Sequence, residues 1–95
     1  MSMIFQSLQV LMPAILAHLE MSYPDYFTDA NYSLHLRSKD LVGLNLHSDK
    51  YPSTLFWIDE SLNVQTAFGK YTEVRYQFDS KLKKKISELL KRQVR

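Results

Sequence analysis

The chain has no cysteine. That excludes a disulfide framework, a thiolate zinc site and a cysteine nucleophile, and it suits a reducing compartment. Glycine is almost as scarce. Gly43 and Gly69 are the only two, too little material for a phosphate-cradling loop or a turn that wraps a ligand. No lysine or arginine precedes Arg37, so both the positive start of a secretory signal and the arginines of a transit peptide are missing. The apolar N-terminal stretch is broken by polar residues well short of the roughly 18 consecutive apolar residues of a membrane span. A cytoplasmic protein without a transmembrane segment is expected.

What is present points to a folded globule. Ninety-five residues, 45% of them apolar and 13% aromatic, make a single domain, 1–95, with one modest core. The net charge of +2 is unevenly placed. Residues 81–95 hold Lys81, Lys83, Lys84, Lys85, Lys91, Arg92 and Arg95 against Glu88 alone, which leaves the rest of the chain acidic.

In 2–21, Ile4, Leu8, Leu11, Ile15 and Leu19 recur at the spacing of a buried helix face, with Phe5, Met12 and Leu16 widening it. Pro13 interrupts this pattern, either by kinking the helix or by opening a second, shorter one over 13–21, and one kinked helix is expected. Residues 22–31 read as a loop with a single helical turn. Strands are expected over 32–37 and 41–47, joined by a three-residue Ser38-Lys39-Asp40 loop that pairs Leu36 with Val42 and Leu34 with Leu44. Residues 47–53 form a polar turn.

The stretch 54–78 carries the only tryptophan and the longest run of alternating residues. Because strand side chains alternate faces, the turns decide which residues are buried. A loop over 59–63, whose Asp59 and Asn63 suit turn positions, sets Ile58 against Val64 and Phe56 against Thr66. It turns Phe56 and Ile58 inward and leaves Leu55 and Trp57 on the other face. A shorter Glu60-Ser61 turn would bury Trp57. A Gly69-Lys70-Tyr71 loop then places Val74, Tyr76 and Phe78 of a fifth strand, 72–78, on the core side. Asp79 or Ser80 would cap a basic amphipathic helix over 80–94, with Leu82, Ile86, Leu89 and Leu90 as its apolar stripe.

The fold predicted is α+β, in the order α-β-β-β-β-β-α. A five-stranded antiparallel meander carries the kinked apolar helix and the basic helix on one face and leaves its other face open. On that open face Trp57 and Leu55, with His35, Arg37 and Arg75 around them, match the apolar anchor and polar rim of a protein contact. A homodimer through the same face would cover it equally well.

Other chemistry finds little footing. His35 and His47 lie roughly 13 Å apart at about 3.3 Å per strand residue, so no metal site is expected. His35 or His47 as base and Ser33 or Ser48 as nucleophile lack an orienting carboxylate. No catalytic residue and no cofactor are expected. The expected function is therefore a small non-catalytic interaction or regulatory protein, of an accessory, inhibitor or immunity type, that binds a protein partner through the open face or the basic helix. The alternative is nucleic-acid binding, with Lys81, Lys83, Lys84, Lys85, Lys91, Arg92 and Arg95 neutralising phosphates. A basic face of this kind also arises simply as the solvated side of a helix.

Overall fold

A computed structural model describes residues 3–66 and 73–93, with side chains described at 3–66 and 77–93. The elements run α1 (Met3–Ser22), α2 (Pro24–Phe27), β1 (Asn31–Ser38), β2 (Leu41–His47), β3 (Thr54–Asp59), β4 (Val64–Thr66) and α3 (Glu73–Gln93). The described strands form one antiparallel sheet in the order β1-β2-β3-β4. The class is α+β with helices at both ends, and the sheet has four strands where five were expected.

The fifth strand fails because 72–78 satisfies two periods at once. Val74, Tyr76 and Phe78 alternate like a strand, but Val74, Phe78, Leu82, Ile86 and Leu90 are also spaced four apart along the sequence. Extending an existing helix adds one hydrogen bond per residue fixed, whereas a new strand must be nucleated and paired. Accordingly α3 begins at Glu73, and Asp79 and Ser80 lie inside it, not at its cap. The Gly69-Lys70-Tyr71 loop lies outside the described residues.

α1 is one helix through Pro13, the arrangement expected over a second helix starting there. Its Leu8, Met12, Ile15 and Leu19 are fully buried against Val42, Leu44, Leu46, Phe56 and Ile58 of the sheet, with Leu82, Ile86 and Leu90 of α3 completing the core. By length and composition α1 is nevertheless apolar enough to cross a membrane, because its average outweighs the polar interruptions. Leu36, expected inside, is 46% exposed near the end of the edge strand β1.

The polar-looking segments 22–31 and 47–53 hide part of the core. Phe27 and Tyr51 are buried, and Phe78 of α3 meets both, at 5.9 and 4.9 Å between ring centroids. Tyr23 and Tyr26 complete this cluster, 5.0 and 4.3 Å from Phe78. The Ser48 hydroxyl ties the two loops together: it donates to the Tyr26 carbonyl and accepts from the Tyr51 amide at 3.0 Å.

The turn between β3 and β4 has the length its sequence implied. Asp59 accepts from the amides of Ser61 (2.9 Å) and Asn63 (3.0 Å), and Ile58 pairs with Val64. Leu62 takes a left-handed φ of 64° to close it, a conformation that costs a branched side chain about 1–2 kcal/mol. Asp59→Ala removes the one carboxylate oxygen that accepts from both amides and should lower stability by about 1–2 kcal/mol, read from urea midpoints, with Asp59→Asn recovering most of the loss.

Asp79 is a second buried polar feature, 2% exposed. Its Oδ1 accepts from the Thr54 hydroxyl at 3.3 Å, and its Oδ2 has no hydrogen-bond partner among the described residues. Burial pushes its pKa up from 3.8 to about 6. An acid whose folded pKa is raised holds its proton more tightly when folded. Its contribution is therefore full below the unfolded pKa and is lost as pH rises through about 6. Asp79→Asn should stabilise the protein by on the order of 2 kcal/mol above pH 7 and change little near pH 4. Paired melts of the two proteins across pH check the sign.

Candidate functional site: a tryptophan on the open sheet face

β3 alternates strictly. Thr54, Phe56 and Ile58 are buried toward the helices, while Leu55, Trp57 and Asp59 are half-buried on the other side. The 59–63 turn enforces this sorting, and Phe56 pairs with Thr66 as the longer loop demands. Both helices lie on the Phe56 side, so no described helix covers the Trp57 face.

Across that face runs a row of paired positions: His35 of β1, Gly43 of β2, Trp57 of β3 and Gln65 of β4. Gly43 leaves a gap between two large rings, and His35 fills it. A Cβ built on Gly43 would sit 2.2 Å from the His35 Cε1 and Nε2 atoms. The imidazole lies over the glycine backbone and meets the indole edge-on, with centroids 5.7 Å apart. Gly43 has no positive φ, so its requirement is space, not backbone freedom.

Arg37 completes the cluster through an irregularity. The expected three-residue hairpin loop is instead a two-residue Lys39-Asp40 turn, with Ser38 paired to Leu41 and a register shift between Leu36 and Ser38. Arg37 is the extra residue of that bulge. Leu36 still pairs with Val42 and Leu34 with Leu44, so two departures from the expected turn cancel. Bulges re-aim side chains, and here the guanidinium carbon lies 4.8 Å above the Trp57 ring centroid. Such a contact is worth about 0.5–1 kcal/mol at an exposed site.

Of the residues expected together, the structure unites Trp57, His35 and Arg37, with Leu55 two residues from Trp57 on the same face. It removes Arg75, which lies in the first turn of α3 and not in the sheet. Gly43 was missed as a site residue. Its signal was present, since a lone glycine inside a strand often marks close approach by another group. Asn45, beside Leu55 in register, has a buried Oδ1 with no hydrogen-bond partner among the described residues.

The other candidates do not converge. His35 pairs with Gly43 and His47 with Asn31, at separate points of the β1–β2 hairpin. Among the described residues no cluster of His, Cys, Asp and Glu could hold a metal. The Ser48 hydroxyl is engaged by the loop contacts already described. On α3, Lys81, Lys83, Lys84, Lys91 and Arg92 are exposed and Lys85 is half-buried. They spread around the whole arc left free by Leu82, Ile86, Leu89 and Leu90. Phe78 faces the aromatic cluster, not that arc. Arg95 lies outside the described residues. Neither a family model, nor a curated protein, nor a solved structure matches the chain.

Gly43→Ala tests the packing of the row. The new methyl must displace the imidazole, which is exposed and can rotate away. Stability should change by less than about 1.5 kcal/mol, while Trp57 fluorescence becomes more accessible to acrylamide. An unchanged quenching constant would mean that His35 does not shield the indole.

Proposed function

We propose that this chain is a small non-catalytic interaction protein, of an accessory, inhibitor or immunity type. It binds a protein partner in the cytoplasm through the face centred on Trp57. One observation carries this reading. A half-buried tryptophan, held by Arg37 above and His35 at its edge, lies on the sheet face that no described helix covers. Tryptophan and arginine are the residue types that most often dominate binding energy at protein interfaces. Here they are pre-positioned by strand register and a bulge, so little side-chain entropy remains to be lost on association. Leu55 extends the apolar centre, and exposed Ser33 and His35 supply a polar rim.

The basic arc of α3 gives the alternative reading, nucleic-acid binding, no comparable anchor. Its lysines carry charge without a neighbouring aromatic platform among the described side chains, whereas stacking supplies much of the affinity for single strands.

The test is affinity capture from the source cells with nuclease present, comparing wild type, Trp57→Ala, and the triple change of Lys83, Lys84 and Lys91 to Glu. A stoichiometric protein should be retained by wild type and by the triple variant and lost with Trp57→Ala. Trp57→Ala itself should cost no more than about 2 kcal/mol of stability, because the ring is only half-buried. Retention by Trp57→Ala with loss from the triple variant would move the site to α3. A loss of about 3–5 kcal/mol on truncation would make Trp57 a core residue instead.

A further inference from the structure

The outer side of α1 is apolar where a solvated helix would be charged. No residue before Glu20 is charged. Met3, Val10 and Met21 are 83%, 78% and 81% exposed, and Ala14 and Ala17 are exposed with them. Together with Ser7 these residues follow the spacing 4-3-4-3-4. At 100° per residue all six fall within about 40° of one line along the helix. That line is opposite the buried Leu8, Met12 and Ile15.

We infer that this stripe binds a second copy of the chain, as an antiparallel pair of α1 helices about a two-fold axis. A two-fold interface must be self-complementary: if residue i meets j, then j meets i. The stripe has that property about its midpoint. In antiparallel register Val10 meets the partner copy's Ala14, Ser7 meets its Ala17, and Met3 meets its Met21. Large faces small at the centre, and small faces small on either side, so the helix axes can approach to the short end of the usual 8–10 Å range. The 4-3 spacing is that of knobs-into-holes packing.

The ends of the stripe are complementary as well. Met3 and Ser7 line a groove of about 870 Å³ that is apolar on one side, at Ile4, Leu36 and Leu62, and charged on the other, at Arg37, Lys39, Asp40 and Glu60, and antiparallel pairing sets the partner copy's Met21 at its mouth. Leu36, itself left exposed at the sheet edge, is covered by the same event. Charge selects the direction. A parallel pair would align the two helix dipoles, whereas the antiparallel pair opposes them and sets the Glu20 end of each helix beside the uncharged start of the other. An anionic lipid surface fits poorly, since no lysine or arginine precedes Arg37. One helix pair covers less than the roughly 800 Å² per partner of a standard interface, so the dimer is concentration-dependent. Of the Trp57 cluster, Arg37 alone lines that groove.

Sedimentation velocity across a concentration series tests it, with Ala14→Glu as the disrupting variant at an exposed position. Wild type should pass from 11.2 kDa toward twice that mass, and Ala14→Glu should remain monomeric with an unchanged melt. Direction is read by cross-linking, which the cysteine-free chain makes clean. When Val10→Cys and Ala14→Cys proteins are mixed and oxidised, the mixed disulfide should dominate over either homodisulfide. Three results would overturn the inference. One is a wild type that is monomeric throughout, including one that instead binds neutral lipid vesicles through Ala14. Another is dimerisation undiminished by Ala14→Glu, and the third is a predominance of homodisulfides.

Discussion

The side-chain alternation of β3 is the constraint on which the rest of the molecule depends. Phe56 and Ile58 can enter the core only if Leu55 and Trp57 leave it, because the pleat allows no third direction. The Asp59 carboxylate, by accepting from the Ser61 and Asn63 amides, holds the turn at the length that puts Val64 opposite Ile58. The apolar face so formed is what α1 and α3 cover. The face so exposed is where Trp57 stands. Core and candidate site are the two sides of one register.

The Trp57 cluster shows how a strand can present a large ring without burying it. Gly43 gives up its side chain, His35 lies in the vacated space, and a bulged Arg37 caps the indole. Each contact is weak alone, at well under 2 kcal/mol. Their joint effect is to fix orientation, which is what a binding surface requires. Elsewhere the aromatic residues are used conventionally: Phe27, Tyr51 and Phe78 close the end of the core through edge and stacked contacts. Asp79, buried beside Thr54, is the stabilising network's weak member at neutral pH.

α1 contributes on two sides. Its inner stripe is anchored in the core, while Met3, Val10 and Met21 carry apolar surface to solvent on the outer one. A helix apolar on both sides needs two partners. The sheet with α3 is the first, and a second copy of the chain is the occupant proposed above for the other.

Periodicity and turn chemistry favoured the first four strands, their order of pairing and the outward position of Trp57, the last only over a shorter Glu60-Ser61 turn that would have buried it. Those are local consequences of which residues alternate and of where Asp59 and Asn63 fall. The same periodicity favoured one helix through Pro13 without deciding it against a second helix opening there; the structure shows one, because a buried stripe on both sides of the proline outweighs one lost hydrogen bond. Other features were decided only by tertiary structure. Residues 73–78 carry strand and helix periods together, and contact with Tyr23, Tyr26, Phe27 and Tyr51 draws Phe78 into the helix. With that choice Asp79 changes from cap to buried acid, and Arg75 leaves the sheet face. Leu36 reads as core by alternation, yet it is exposed because β1 is an edge strand and nothing described lies beyond it. Arg37 reaches Trp57 through a bulge that no period announces. A pattern in sequence specifies which face a side chain takes within its own element; whether anything lies on that face depends on elements far along the chain.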